Sequence, residues 1–188
     1  MSDASYRLTI GGLQRDLPLF QVAPGVRIAV LNILGDPALT EAAAAGLAAR
    51  LRDLPFDVLV TAEAKSIPLI HALALRCGKP SVVLRKHWKP YMGEALRATT
   101  LSITSGREQS LYLDQKDRST IRGQRVVLLD DVISTGSTLA GMRELVQQAG
   151  GEVAAVAAIC TEGDISEHAE VIALAHLPVF SDTDAPAS

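Results

Sequence analysis

Two adjacent carboxylates, Asp130 and Asp131, are the residues of this chain best suited to chemistry. They end an aliphatic run and precede a loop of small and hydroxyl-bearing residues, namely Ser134, Thr135, Gly136, Ser137 and Thr138. Apolar residues then recur at helical spacing as far as Ala149, so the segment predicts a buried strand, a loop and a helix. The N–H groups of such a loop and the positive end of the helix dipole attract phosphate. Carboxylates accept hydrogen bonds from vicinal hydroxyls and hold divalent cations, so a phosphorylated sugar is the expected ligand.

Residues 126–138 resemble the thirteen-residue signature of the type I phosphoribosyltransferases. Members of that family bind 5-phosphoribosyl 1-pyrophosphate (PRPP) and transfer its ribosyl phosphate to a base. The resemblance implies that Asp130 and Asp131 are catalytic and hold Mg2+, and that residues 134–138 bind the 5-phosphate of PRPP. It also implies an α/β fold, with a mostly parallel central sheet flanked by helices, a small hood and a flexible lid loop. A homodimer is implied as well.

A second loop with phosphate-binding character is predicted between a strand and a helix, where backbone N–H groups are free. It reads Glu63-Ala64-Lys65-Ser66, and adenine-type phosphoribosyltransferases have Glu-Ala-Arg-Gly at the equivalent place. Lysine supplies a point charge where arginine binds two oxygens. The resemblance therefore implies that these four residues bind the pyrophosphate of PRPP, with altered geometry.

Arg85 and Lys86 end the next predicted strand and resemble a basic pair that faces pyrophosphate in the adenine and xanthine enzymes. The following segment, residues 86–98, lacks clear periodicity, and we expect it to be the lid that orders over bound PRPP. Lys89, within this lid, is assigned to pyrophosphate binding too. His87 has no partner carboxylate nearby in the sequence, so it receives no role in proton transfer.

The residues that would contact the base depart from the adenine pattern. The adenine enzymes have a Pro-Gly-x-x-Phe hood, and here Val26, Arg27 and Ile28 follow Pro-Gly, so isoleucine replaces phenylalanine. In the lid's return strand, Ser102 and Thr104 fit the xanthine enzymes better than the adenine enzymes. We expect a purine phosphoribosyltransferase of adenine-type or xanthine-type salvage that prefers a 6-substituted purine and uses adenine weakly. An orotate enzyme and a non-catalytic PRPP-sensing regulatory protein are the alternatives.

Composition bounds the class of protein. A chain of 188 residues with a net charge of −3, a pI near 5.8 and 4% aromatic residues gives no case for nucleic-acid binding. No apolar run approaches the roughly 20 residues that span a bilayer and no signal peptide is recognised, so we expect a cytoplasmic protein without membrane contact. Glycine motifs of P-loop nucleotidases and Rossmann dehydrogenases do not occur. Cys77 and Cys160 are interpreted as reduced, buried residues.

The order of elements completes the prediction. Residues 1–35 form an N-terminal extension or hood with turns at Gly11-Gly12 and Pro24-Gly25, residues 36–180 form the phosphoribosyltransferase domain, and residues 181–188 form a disordered tail. Asp36 and Pro37 predict a helix start. Strands that alternate with helices imply a parallel sheet with right-handed crossovers. The strands are predicted at residues 57–62, 81–85, 99–104, 108–114, 125–130 and 152–160.

Overall fold

The computed structural model describes residues 5–101 and 108–181. The strands are β1 (Ser5–Ile10), β2 (Leu13–Ala23), β3 (Val26–Ala29), β4 (Val58–Ala62), β5 (Ser81–Leu84), β6 (Leu96–Leu101), β7 (Glu108–Leu113), β8 (Arg125–Ile133), β9 (Glu152–Glu162), β10 (Val171–Leu177) and β11 (Val179–Ser181). The helices are α1 (Pro37–Leu51), α2 (Ile67–Cys77), α3 (Arg118–Ile121) and α4 (Ser137–Gln148). Short 3-10 turns occur at Pro90–Met92, Gln115–Asp117 and Ile165–His168.

A parallel sheet in the order β10-β9-β8-β4-β5 forms the centre of the molecule. The middle strands are buried on both faces, because α1 and α2 pack on one side and α4 on the other. This layering explains the unbroken aliphatic runs of β4 and β8, since a strand covered on both faces needs no polar alternation. The α/β fold with a parallel central sheet and flanking helices is confirmed.

The N-terminal residues form a second, antiparallel sheet in the order β1-β2-β3-β11, which we call the hood sheet. The turns predicted at residues 11–12 and 24–25 are present. Its last strand comes from the other end of the chain, because Ser181 pairs with Val26. The disordered tail predicted for residues 181–188 therefore begins too early by at least this one residue, and residues 182–188 lie outside the described part of the chain.

Helix α1 begins as predicted. The Asp36 carboxylate accepts the N–H of Leu39 at 3.0 Å, and Pro37 occupies the first helical position. Arg15 of β2 donates to the same carboxylate through Nε at 2.6 Å, so this ion pair joins the hood sheet to the start of the helix. The hood sheet is thereby fixed to the layer that covers the central sheet.

The segment predicted to be a lid, residues 86–98, contains a 3-10 turn, and its last three residues belong to β6, so the predicted limit at residue 98 is wrong. The ordering of this segment over PRPP stays a prediction. Residues 90–92 form a 3-10 turn, and Met92 is buried at 1% exposure. The Glu94 N–H donates to the Gln115 side chain at 2.9 Å, and β6 begins at Leu96. These contacts hold the segment against the residues that follow β7. The return residues Ser102 and Thr104 lie outside the described residues.

Within residues 5–101 and 108–181, no helix combines the length and the apolarity that crossing a membrane requires.

Candidate active site

The acid pair lies near the C-terminal end of β8, in the middle of the central sheet. The strand extends to Ile133, three residues beyond the end that the sequence predicted, so Asp130 and Asp131 are part of the strand. Both carboxylates line a cavity of about 260 Å³, which we call the acid cavity. Its walls are Ala62, Glu63, Ala64, Lys65, Ser66, Lys86, Asp130, Asp131, Val132 and Thr138. Ligands of open α/β sheets bind at this carboxyl edge.

Residues 63–66, which we call the pyrophosphate loop after the role that the resemblance implies, are joined to the acid pair by one hydroxyl. Ser66 Oγ donates to Asp130 Oδ1 at 2.8 Å and accepts the Asp131 N–H at 2.9 Å. It also lies 3.2 Å from Asp131 Oδ1. Ser66 is 1% exposed, so these contacts are shielded from water. The loop and the strand are thus in direct contact.

The acid pair is electrostatically costly in this position. Burial, and after it the charge of Asp131, raise the pKa of Asp130 from its ordinary value to about 7, while the hydrogen bond from Ser66 opposes the rise. A cation placed between the carboxylates would favour their ionised forms. The electrostatics therefore suit a site that receives positive charge together with its ligand.

Glu63 organises the end of the neighbouring strand. Its carboxylate accepts from Arg85 Nε at 2.6 Å and from the Lys86 N–H at 2.6 Å. The charge of Glu63 also raises the pKa of Arg85. Arg85 thus pairs with the pyrophosphate loop, whereas Lys86 lines the acid cavity with its neighbours from that loop. The two members of the predicted basic pair have different surroundings.

Lys65 is exposed, and its Nζ donates to the Leu31 carbonyl at 3.4 Å. Leu31 follows β3, so this contact links the pyrophosphate loop to the segment that leaves the hood sheet. The Glu63–Ala64 peptide bond is cis. Lys65 and Lys86 are the two cationic residues that line the acid cavity.

Residues 134–138, which we call the phosphate loop after the role that the resemblance implies, lead into the N-terminus of α4. Gly136 has φ +73°, a left-handed conformation that glycine adopts without strain, and it is the residue before the first helical residue, Ser137. A small cavity of about 50 Å³ is lined by the loop and by Asp130. Asp130, Val132 and Thr138 line this cavity and the acid cavity as well. A phosphate in the loop would therefore adjoin the carboxylates.

The three residues predicted to contact the base lie outside the acid cavity. Val26, Arg27 and Ile28 form β3 and do not line the acid cavity. Ile28 pairs with Phe20 and Val179. Phe20 is 63% exposed, so this row of the hood sheet faces away from the core. The predicted base contacts are therefore not brought to the acid pair.

Lys89 is exposed where it precedes the 3-10 turn, and it does not line the acid cavity either. Its N–H contacts the sulfur of Met92 within the same turn, at 3.3 Å. Of the basic residues assigned to pyrophosphate, the structure thus gathers Lys65 and Lys86 at the cavity and leaves Arg85 and Lys89 outside its lining.

Sequence reasoning missed the segment after β9. A cavity of about 430 Å³ lies between the phosphate loop and residues 166–171, and Arg143 of α4 also lines it. His168 is held there by a 2.9 Å contact between Nε2 and the Glu162 carbonyl. Arg143 lies two helical turns after Gly136, which is the one signal in the sequence that could have placed it beside the loop.

The chain is similar in sequence to several known proteins. The family model described as "Phosphoribosyl transferase domain" matches residues 31–173. The chain is 36% identical over 129 residues to a hypoxanthine/guanine phosphoribosyltransferase of Methanosarcina acetivorans, covering 68% of this chain and 64% of that protein. It is 31% identical over 143 residues to an adenine phosphoribosyltransferase of Thermosipho africanus, covering 76% of this chain and 81% of the relative.

Two further similarities are informative. The purine biosynthesis transcriptional repressor PurR of Bacillus subtilis is 27% identical over 147 residues, which cover 78% of this chain and 51% of the repressor. The chain thus spans less than two thirds of the length of PurR and of the Methanosarcina protein. An adenine phosphoribosyltransferase structure from Thermoanaerobacter pseudethanolicus superposes with a TM-score of 0.68 at 23% identity, covering 85% and 95% of the two chains. At that identity the superposition supports the fold.

Proposed function

Because the chain belongs to the phosphoribosyltransferase family, whose model matches residues 31–173, we propose that it transfers ribose 5-phosphate from PRPP to a purine base. The observation that carries this proposal is the acid cavity. It gathers Asp130 and Asp131, the pyrophosphate loop, Lys86 and one end of the phosphate loop around a single space. PRPP is a ribose with a phosphate at one end and pyrophosphate at the other. It needs carboxylates for its hydroxyls, with a phosphate site on one side of them and a pyrophosphate site on the other.

In this proposal the chain binds PRPP in three parts. The 5-phosphate lies in the phosphate loop at the N-terminus of α4, and the ribose hydroxyls donate to Asp130 and Asp131. The pyrophosphate lies against residues 63–66 and Lys86. The bond from C1 to pyrophosphate breaks as a base nitrogen forms its bond to C1, through an oxocarbenium-like transition state. The protein contributes by holding the reacting groups in place and by excluding water.

The residues at the cavity fit Mg2+. Among the residues that the structure describes, no cluster of three or more His, Cys, Asp and Glu side chains could hold a metal by itself. Mg2+ is commonly bound by one or two carboxylates together with substrate phosphates and water. Asp130 and Asp131 supply two carboxylates on the wall of the acid cavity and would hold the ion with oxygens of PRPP. When bound, Mg2+ neutralises charge on the departing pyrophosphate.

We further propose that the preferred acceptor is a 6-oxopurine such as hypoxanthine, guanine or xanthine. The similarity to the Methanosarcina hypoxanthine/guanine enzyme supports this choice. Isoleucine at position 28 does not add to this support, because Ile28 does not line the acid cavity.

The decisive assay is PRPP-dependent release of pyrophosphate with adenine, hypoxanthine, guanine, xanthine and orotate in parallel. We expect release with at least one 6-oxopurine and weak release with adenine. The matched control is the double variant Asp130→Asn, Asp131→Asn, which keeps side-chain size and should abolish both release and PRPP binding by calorimetry. Release with orotate alone would overturn the purine assignment. An adenine kcat/KM above about 10⁴ M⁻¹s⁻¹, the low end for efficient enzymes, would overturn the preference.

A PRPP-binding regulatory protein is the second candidate. The similarity to PurR over 78% of the chain favours it, as does the replacement of arginine and glycine by Lys65 and Ser66 in the pyrophosphate loop. The same experiments separate the two, because a regulator binds PRPP through the acid pair but releases no pyrophosphate with any of the five bases.

Assembly and location complete the proposal. We propose a homodimer in the cytoplasm, as the family resemblance implies. Sedimentation equilibrium at micromolar concentration tests the dimer, and fractionation of cells that express the protein tests the location.

A further inference from the structure

Ser66 is placed where a serine normally caps a helix, yet its hydroxyl does not do so. It directly precedes α2, and its side chain makes no capping hydrogen bond. A serine at this position usually accepts an N–H from the first turn, which stabilises the helix. The hydroxyl points instead to β8, across the central sheet's carboxyl edge. The side chain is therefore engaged by the acid pair rather than by its own helix.

The contacts of this hydroxyl have a defined direction. A hydroxyl has one proton to donate, and Asp130 Oδ1 at 2.8 Å is closer than Asp131 Oδ1 at 3.2 Å. Asp130 Oδ1 also accepts the Asp131 N–H at 2.9 Å, so two donors converge on this oxygen. Two donors on one oxygen restrict rotation of the carboxylate. Ser66 thereby sets the orientation of Asp130.

The same hydroxyl also fixes the distance between two parts of the site. Ser66 is the last residue of the pyrophosphate loop, whereas Asp130 and Asp131 belong to β8. Because Ser66 is 1% exposed, water does not compete for these hydrogen bonds. The adenine-type loop that this segment resembles ends in glycine, which has no side chain to make the connection. Ser66 therefore supplies a connection between the loop and β8 that a glycine at this position could not make.

On these grounds we infer that Ser66 is a positioning residue for PRPP, which orients the Asp130 carboxylate toward the ribose hydroxyls and holds the pyrophosphate loop at a fixed distance from the acid pair. This inference rests on the proposed function. Ser66 acts through Asp130 and through its own loop, so its removal should weaken the binding of PRPP and leave the binding of the base unchanged.

The test compares Ser66→Ala with wild type. Loss of a hydrogen bond to a charged group corresponds to about a 10-fold to 100-fold loss in affinity. We expect the Kd for PRPP with saturating Mg2+, measured by calorimetry, and the KM for PRPP to rise within this range, while the KM for the base stays within about 2-fold. A general loss of structure would instead change both KM values and the thermal midpoint. Ser81→Ala, at an exposed serine that begins β5, is the control and should match wild type.

Ser66→Cys keeps the shape of the side chain, with a larger sulfur in place of the oxygen, and donates a much weaker hydrogen bond. The inference requires it to bind PRPP like Ser66→Ala, and it replaces the alanine variant if that variant does not fold. Wild-type PRPP affinity in either variant, or equal losses for PRPP and base, would overturn the inference. Failure of the proposed function is a separate result, because wild type itself would then not bind PRPP, or the double Asn variant of the acid pair would still bind it.

Discussion

Replacing Asp130 by Asn should stabilise the protein without ligand, although it removes a residue of the candidate site. Asn has nearly the same shape but carries no charge. Burial and the neighbouring Asp131 raise the pKa of Asp130 from 3.8 to about 7, so the folded state holds the proton more tightly than the unfolded state does. The ionised side chain is thus the unfavourable form in the folded protein.

The sign of the pH dependence follows from this difference. Below pH 3.8 both states are protonated and the wild type keeps its full stability from this group. As the pH rises from about 4 to about 7, the unfolded state ionises freely while ionisation of the folded state is penalised, so the free energy of unfolding falls. A rise in pKa from 3.8 to about 7 corresponds to about 4 kcal/mol. Asp130→Asn avoids this loss.

Urea denaturation at pH 5, 6, 7 and 8, without Mg2+ or PRPP, measures the effect. We expect Asp130→Asn to exceed wild type by up to about 4 kcal/mol at pH 8 and by less at pH 5. Asp36→Asn is the control of opposite sign, because the hydrogen bond from Arg15 lowers the pKa of Asp36 and Asn retains the helix cap. That variant should be less stable than wild type at pH 8. The reasoning is refuted if Asp130→Asn gains nothing at pH 8, or if its gain is the same at pH 5.

Three further predictions concern other residues. Gly136→Ala should cost about 1 to 2 kcal/mol in the free energy of unfolding and weaken PRPP binding, because its φ of +73° strains any L side chain, although a Cβ would meet nothing within 4 Å; an unchanged thermal midpoint would contradict this. Glu63→Gln and Arg85→Ala should be non-additive by about 1 kcal/mol in a double-mutant cycle of unfolding, since their side chains form one ion pair at 2.6 Å; strict additivity would contradict the pair. Iodoacetamide at pH 8 should leave Cys160 unmodified in the folded protein, because burial raises the pKa of its thiol to about 12. Mass spectrometry with and without urea measures the modification, and the half-buried Cys77 serves for comparison.

The central layer of the fold could be predicted because its elements have strong local signals. Aliphatic runs fully buried in β4 and β8 do not alternate with polar residues, and Asp36-Pro37 marks the start of α1. β10 and β11 were not predicted. β10 is an edge strand that is only half-buried over Val171–His176, so its pattern is weak. β11 pairs with β3 from the far end of the chain, and periodicity carries no information on such a partner.

Part of the candidate site could also be predicted from local sequence, and part could not. The acid pair and phosphate loop were predictable because they form one contiguous segment of strand, loop and helix. The limit of the lid at residue 98 was wrong because β6 begins at Leu96, and the contact of Glu94 with Gln115, which follows β7, leaves no signal in the local sequence. The contact between Ser66 and Asp130 was not predictable either, since a serine before a helix ordinarily indicates a cap. Long-range contacts of this kind depend on the order of strands in the sheet.

The electrostatics of the acid pair connect stability to binding. Two carboxylates that share a buried edge destabilise the empty protein at neutral pH, because the folded state opposes the ionisation of Asp130. A bound Mg2+ would favour the ionised form instead. Ligand binding therefore recovers stability that the empty site lacks, in addition to the mass-action term of any ligand. The rise in thermal midpoint on addition of PRPP and Mg2+ should accordingly be larger at pH 8 than at pH 6, and Asp130→Asn should lose this difference.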